Sequence, residues 1–413
     1  MRKRMLRFVA ALLSAVILLA ALATGGFAAQ FTDVPAGSWY EIPVSWAVAK
    51  DVTEGVTATT FCPNQKCTRA EAVTFLWRFD ERPHSTRKAG FSDVKADAWY
   101  ADAVDWSSCR GIVQGMSAKT FAPAGLCTRA QIVTILWRYA GSPTSQAANP
   151  FRDIDASDYF CGAVCWAVEK GITRGVSEAA FAPDSACTRA QIVTMLWRLS
   201  QILPAKKTVV LDPGHQLHAN YEKEPIGPCS TVMKAKTSAG TYGYASKTHE
   251  YQLNLTVSLA LRAELECRGY RVIMTRTTHD VDLSNIDRAA IGNQANADAV
   301  IRIHANGSTN ASVSGAETVC ITKNNPYCPG TYAKSRALSD AVLTEFCKAT
   351  GAKKRSVWET DTMTGLNWST VPVTILEMGY MSNQNEDLTM ATASYQKKMV
   401  LGTANGIDAY FSS

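Results

Sequence analysis

At 413 residues the chain exceeds one ordinary domain; at roughly 100 to 200 residues per domain it should hold two to four units, and its 46% hydrophobic content allows a sizeable core. Its formal charge of +6 falls to +2 once the basic residues Arg2, Lys3, Arg4 and Arg7 are set aside, a balance that gives no reason to expect nucleic acid as a partner. The twelve cysteines show no paired C-x-x-C spacing, which argues against a cysteine zinc knuckle.

The chain opens Met-Arg-Lys-Arg, runs through apolar residues from Phe8 to Ala23 and offers a small-x-small cleavage site at Gly26-Phe27-Ala28. These are the marks of a secretory signal peptide over residues 1–28, with an uncleaved N-terminal anchor as the alternative. No later stretch reaches the roughly 18 uninterrupted apolar residues of a membrane helix, so the expectation is an exported protein with no membrane span after signal removal. Outside the cytoplasm its cysteines are able to form disulfides, although their number does not identify the pairs.

FTDV at Phe31, FSDV at Phe91 and FRDI at Phe151 recur 60 residues apart, as do Trp46, Trp106 and Trp166. So do CTRAEAVTFLWR, CTRAQIVTILWR and CTRAQIVTMLWR, which start at Cys67, Cys127 and Cys187. The first half is therefore three copies of one unit, expected over 31–80, 91–140 and 151–200. Polar stretches from Arg82 to Ala89 and from Gly141 to Asn149 read as linkers. Each unit carries two helical patterns, one around WYEIPVSWAVAK and one after CTRA. The second announces its start with a capping box: Thr68 with Glu71, Thr128 with Gln131, Thr188 with Gln191. The cysteine before each cap is expected to pack as a small buried hydrophobe against Ala72, Ile132 or Ile192. Cys62, Cys109, Cys161 and Cys165 do not recur and are candidates for local pairing.

Arg69, Arg129 and Arg189 stand in the first turn of the second helix, where the helix dipole opposes a cation by about 0.3 to 1 kcal/mol. Two roles would justify that cost: an ion pair to Asp33, Asp93 or Asp153, which suits the guanidinium fork, or an anion clamp. The F-x-D-V start, the Trp-Tyr pair, the mid-unit tryptophan and T-R-A-E/Q together resemble the S-layer homology domain family over nearly all of Phe31 to Ser200. The resemblance implies an all-α, three-pronged module that holds an anionic, often pyruvylated, secondary cell-wall polysaccharide, with Arg69, Arg129 and Arg189 in its grooves. The third unit departs from the pattern, with Asp158-Tyr159-Phe160 where the others have Ser/Ala-Trp-Tyr.

From Lys206 onward, apolar runs alternate with amphipathic stretches, which predicts an α/β domain over 206–413 with a mostly parallel sheet and helices on both faces. TVVLD is a strand leading to His215; the helix EYQLNLTVSLALRAELECR ends at Gly269, and the strand RVIMTR ends at Arg276. A helix in DRAAIGNQANA precedes the strand AVIRIHAN, which carries His304. After a polar excursion come the helix YAKSRALSDAVLTEFCKA, the strand VPVTILEMGY with Glu377, and a closing helix in YQKKMVLGTANGIDAYF.

In open α/β sheets ligands bind beyond the carboxyl ends of the strands, and His215, Arg276, His304 and Glu377 are all expected there, joined by Glu250 at the start of the first helix. Two histidines and a carboxylate are the three-ligand set of a catalytic zinc with a fourth position for water, and a second carboxylate would serve as base. Taken singly the residues have plainer uses: a strand-end histidine often faces solvent, and Glu250 would also complement a helix start. Glu377 inside an apolar strand is harder to explain away, because an ionised carboxylate does not enter a core unpaired. His218 and His249 are rival ligands, and the absence of H-E-x-x-H argues against a thermolysin-like protease.

LDPGH, Glu250 with Leu253-Asn254-Leu255, Thr275-Arg276, Asp287-Arg288, IRIHAN and ILEMGYMSN resemble the zinc-dependent N-acetylmuramoyl-L-alanine amidases over about Thr208 to Tyr410. The resemblance implies one zinc per catalytic domain held by His215, Glu250 and His304, Glu377 as the catalytic glutamate, Arg276 and Asn306 as crevice supports, and peptidoglycan as substrate. A wall-anchored, secreted bacterial hydrolase is thus expected; the alternatives are a wall-bound structural protein with an inactive domain or a zinc peptidase cutting within the stem peptide. One departure is the insertion from Leu217 to His249, read as a lid, a recognition loop or an inhibitory cover. Cys320 and Cys328 are expected to close a small loop, and Trp358, Asn367 and Trp368 either line a substrate groove or pack within their loop.

Overall fold

The structure, a computed structural model, describes residues 31–85 and 87–413; the expected signal peptide lies outside them. It divides into two units, one comprising the chain up to Pro204 apart from His84–Thr86, the other comprising that short stretch and Ala205–Ser413. No helix among the described residues is long and apolar enough to cross a membrane.

The repeats of the first unit contribute helix pairs: α1 (Glu41–Ala49) and α2 (Arg69–Phe79), α3 (Ala101–Cys109) and α4 (Arg129–Tyr139), α5 (Cys161–Glu169) and α6 (Arg189–Ser200). Thr68, Thr128 and Thr188 form complete capping boxes with Glu71, Gln131 and Gln191, so two orphan amides at each helix start are satisfied reciprocally. The repeats close on themselves. The Cys127 amide donates to the Cys67 carbonyl, Cys187 to Cys127 and Cys67 to Cys187, each at 2.9 Å, and α2 packs on α3, α4 on α5 and α6 back on α1. Cys67, Cys127 and Cys187 are fully buried free thiols in the same core as Ala72, Ile132 and Ile192, and burial pushes the Cys127 thiol up to about 12. Cys62, Cys161 and Cys165 are free as well, so no local disulfide joins them, whereas Cys109 is disulfide-bonded.

The second unit is built on a six-stranded sheet. Its strands are β1 (Thr208–Pro213), β4 (Arg271–Met274), β5 (Ala299–Asn306), β6 (Ala316–Cys320), β7 (Lys354–Glu359) and β8 (Val373–Tyr380), in the order β4-β1-β5-β8-β6-β7. Only the β6–β8 pair is antiparallel. The strand β1 is buried along its whole length, and β5 at all but His304 and Asn306, because both faces of the sheet are covered. On one face Val209, Leu211 and Ile303 pack with α7 (Glu250–Cys267), α9 (Tyr332–Thr350) and α12 (Ala393–Ser412). On the other, Val210, Val300 and Ile375 pack with α8 (Asn285–Gln294) and α10 (Thr364–Asn367). A short α11 (Gln384–Met390) follows β8. The insertion after His215 folds as a separate hairpin of β2 (Asn220–Pro225) and β3 (Met233–Thr237). The expected Cys320–Cys328 bridge is not formed: Cys320 is buried in β6, and the Cys328 thiol donates to the Leu366 carbonyl at 3.4 Å.

Candidate functional site

The parallel strands β1, β5 and β8 run in one direction, so their carboxyl ends deliver Pro213, His304 and Glu377 to one edge. Beyond β1 the chain turns through Gly214 to His215, whose φ of 60° is a left-handed conformation costing roughly 1 to 3 kcal/mol for a side-chain-bearing residue. Two arginines hold that turn. Arg276 donates to the carbonyls of Pro213 at 2.9 Å, Gly214 at 3.1 Å and Tyr251 at 2.9 Å. Arg288 donates to the Asp212 carboxylate at 2.6 Å and to the Pro213 and His215 carbonyls at 3.0 and 3.1 Å. Arg302 completes the cradle with a 2.7 Å bond to Asp212. Burial alone would raise the Asp212 pKa; Arg288 and Arg302 reverse it and hold this carboxyl far below the usual range.

Glu250 opens α7 with its carboxylate buried at the centre of the cluster. Its Oε1 lies 3.2 Å from His215 Nε2 and 3.1 Å from His304 Nδ1, and all three ligating atoms fall within 4.8 Å of one another. The two imidazole rings meet edge to face at 4.8 Å. Burial opposes charge on all three groups, but the carboxylate and the imidazoles counter it in one another: Glu250 is held below, and His215 lifted above, its ordinary value. Burial prevails at His304, lowered to about 4, so that imidazole is neutral and available as a ligand at neutral pH. Two imidazole nitrogens and a carboxylate oxygen converging on one point fit the donor set of a zinc site.

Glu377 faces His304 across the parallel β5–β8 register, and its buried Oε2 has no hydrogen-bond partner. Burial, then the charges of Glu250 and of Glu317, raise its pKa well above the carboxylate range, with Arg302 in opposition. Glu317 stands opposite Glu377 on the antiparallel partner β6 and was invisible in the sequence, because β6 was. Asn306 donates to Glu317 at 2.8 Å and so reaches the site only through that residue. The rivals lie elsewhere: His249 precedes α7 and stacks on Tyr251 at 5.3 Å, and His218 lines a surface groove with Tyr221. Asn367 and Trp368 are packed against the insertion, donating to the Ile226 and Pro225 carbonyls at 3.0 and 2.9 Å, whereas Trp358 on β7 is exposed.

In the first unit each buried arginine crosses to the next repeat. Arg69 donates to the Phe121 carbonyl at 2.8 Å, Arg129 to Phe181 at 2.7 Å and Arg189 to Phe61 at 2.8 Å. Each guanidinium also lies 4.7 to 5.0 Å over the ring of that phenylalanine. A desolvated cation–π contact of roughly 2 kcal/mol outweighs the unfavourable helix dipole. The aspartates expected as ion-pair partners bind the same phenylalanines through their amides: Asp33 accepts from the Phe61 amide, Asp93 from Phe121 and Asp153 from Phe181, at 2.8 to 2.9 Å. Arg69, Gln114, Met116, Gln131, Arg138 and Tyr159 line a groove of about 330 Å³.

The N-acetylmuramoyl-L-alanine amidase family model matches residues 209–409, and the S-layer homology domain model matches 30–73, 90–133 and 150–193. An amylopullulanase of Thermoanaerobacterium thermosulfurigenes is 29% identical over 175 residues, 41% of this chain and 9% of its own length. A surface-layer 125 kDa protein of Lysinibacillus sphaericus is 35% identical over 131 residues, 32% of this chain and 11% of its own length. The chain thus spans about a tenth of the length of these relatives. Among solved structures, the catalytic domain of CwlV, an N-acetylmuramoyl-L-alanine amidase from Bacillus (Paenibacillus) polymyxa, is 26% identical with a TM-score of 0.41, covering 50% of this chain and 98% of that one. Residues 209–409 therefore form a domain of the N-acetylmuramoyl-L-alanine amidase family, and three S-layer homology domains precede it.

Proposed function

We propose that the chain is an exported, wall-anchored enzyme that hydrolyses the amide between N-acetylmuramic acid and L-alanine in peptidoglycan. The observation that carries this reading is the convergence of His215, Glu250 and His304 on one point, with Glu377, whose Oε2 has no hydrogen-bond partner, across the register from His304. A zinc ion held by the three residues would supply Lewis-acid polarisation of the amide carbonyl and a water of lowered pKa. Glu377 accepts the proton of the attacking water on its carboxylate and returns it to the departing alanine nitrogen, acting as base and then as acid. Its raised proton affinity suits a group that must hold a proton between those two moments. Arg276 and Arg288 act on the turn, fixing His215, and Glu317 acts on Glu377 through its charge.

The three repeats anchor the enzyme by binding an anionic wall polysaccharide in grooves such as the one lined by Arg69 and Arg138. The test of the catalytic reading is incubation of the purified chain with peptidoglycan, with zinc and with a chelator, followed by mass analysis of the soluble products. Stem peptides with a new alanine amine, absent on chelation, are expected. Cuts within the stem peptide would replace the amidase with a peptidase, and no cleavage by a zinc-loaded chain would leave a wall-binding protein.

A further inference from the structure

The insertion from Leu217 to His249 is tied to the body of its domain along its whole length. At its start Asn220 donates to Asp282 at 3.1 Å. In the middle, the Pro225 and Ile226 carbonyls accept from Trp368 and Asn367, and Gly227 lies against the Tyr327 ring. At its end the amides of Ala245 and Ser246 both donate to the Asp387 carboxylate at 2.7 Å, and the Tyr244 amide donates to the Met381 carbonyl at 2.9 Å. A loop poised to open leaves its backbone polar groups to water; this one commits several of them to the body of the domain, with Asn367, Met381 and Asp387 as buried partners.

Its last stretch reaches the metal-ligand residues themselves. The Ser238 carbonyl is 2.9 Å from His215 Nδ1; since a carbonyl only accepts, that nitrogen carries the hydrogen and leaves the Nε2 lone pair facing Glu250 and His304. The Thr241 amide donates to Glu250 Oε2 at 2.8 Å, which turns Oε1 towards the two histidines, and the Glu250 amide donates back to the Thr241 carbonyl at 3.0 Å. Gly240 between them has a φ of +79°, and a Cβ there would come within 2.7 Å of Glu250 Oε2 and 2.9 Å of the His215 ring. Only glycine lets the segment lie that close.

We propose that residues 238–241 of the insertion are a positioning element for the metal, fixing the tautomer of His215 and the orientation of the Glu250 carboxylate, so that the insertion builds the site and does not restrain it as a lid. The inference rests on reading His215, Glu250 and His304 as zinc ligands. Partners of this kind are typically worth about 10- to 100-fold in metal affinity.

The test is the zinc dissociation constant of the full chain, measured by competition with a chromophoric chelator, for the native protein, Gly240→Ala, Thr241→Pro and, as a control in the same insertion, Tyr221→Ala. Circular dichroism reports folding in each. Gly240→Ala crowds the two ligands and Thr241→Pro removes the amide donor, so each should bind zinc about 10- to 100-fold more weakly, while Tyr221→Ala, exposed on β2, binds as the native chain does. Nitrogen NMR of the zinc-loaded native chain, labelled at histidine, should show hydrogen on His215 Nδ1, a readout that needs no variant to fold. Hydrogen on Nε2, or folded variants with native zinc affinity, would overturn the inference. Variants that bind zinc normally and hydrolyse peptidoglycan faster would make the insertion a lid. A native chain that binds no zinc would instead remove the ligand assignment beneath it.

Discussion

Glu377 lies on a strand whose other seven residues are buried, and the structure gives its carboxyl no partner at Oε2. An arrangement that costly persists only where the group has work to do. Glu377→Gln keeps the shape and loses the base, so zinc affinity should stay native while kcat on purified peptidoglycan falls on the order of 10²- to 10⁴-fold. His215→Ala should lose zinc as well, and metal content measured beside turnover separates the two. A glutamine variant with near-native turnover would remove Glu377 from the chemistry. The histidines and both glutamates were readable because each interrupts an apolar or helical pattern near a strand or helix end. Ser238 and Thr241 were not, because they act through backbone atoms that every residue possesses.

At the scale of elements, the 60-residue repeat makes the surroundings of Arg69, Arg129 and Arg189 similar but not equal. The position of Gln114 beside Arg69 is occupied by Glu54 in the first repeat and Arg174 in the third, and Gln131 corresponds to Glu71 and Gln191. Consequently Arg189 Nη1 lies 3.6 Å from the Glu71 carboxylate, whereas the buried Nη2 of Arg129 has no partner and its repeat-to-repeat contact brings it to the side carrying Arg174 and Arg198. An anionic polymer should therefore favour the Arg129 groove over the Arg189 groove. Arg129→Lys and Arg189→Lys each lose a bond to a phenylalanine carbonyl, and Arg189→Lys also loses contacts with Glu71 and Thr53, so circular dichroism of both variants serves as the folding control. A charged hydrogen bond is worth about 1.5 to 3 kcal/mol, so co-sedimentation with purified wall polysaccharide should weaken about tenfold or more for Arg129→Lys and little for Arg189→Lys. Equal losses would show that charge does not rank the grooves.

At the scale of the molecule, acid stability follows from Asp212, which sits between Arg288 and Arg302 beneath the turn that carries His215. Its folded pKa is depressed below the model-peptide value of 3.8, so its stabilising contribution is complete above that value and is lost as pH falls through the window beneath it. Urea unfolding of the full chain should show the α/β unit weakening progressively as pH drops from about 4 to about 2. Asp212→Asn should flatten that dependence and, by leaving two buried guanidiniums short of a counter-charge, destabilise the unit at pH 7 by about 3 to 5 kcal/mol. A variant with the native acid profile would place the acid-sensitive group elsewhere.

The sequence by itself determined the three repeats, their capped helices, the strands β1, β4, β5 and β8 and the residues at the carboxyl ends of those strands, because each is announced by local periodicity or by a polar residue out of pattern. Strands β6 and β7 and the hairpin of β2 and β3 were read as polar excursion and insertion. Four of the six residues of β7 are polar and none of the six is buried, and β2 and β3 are exposed or half-buried except at Glu224 and Thr237, so no buried apolar face betrays them. Only the tertiary structure decided that the repeats close into a ring, through amide bonds between Cys67, Cys127 and Cys187, since backbone pairing over such separations leaves no mark on side-chain choice. It alone also decided that the arginines and aspartates grip the same phenylalanine residues and do not pair with one another, and that Ser238 and Thr241 of the insertion meet His215 and Glu250. Those outcomes depend on where distant segments meet, which the chain specifies jointly and no single stretch of it records.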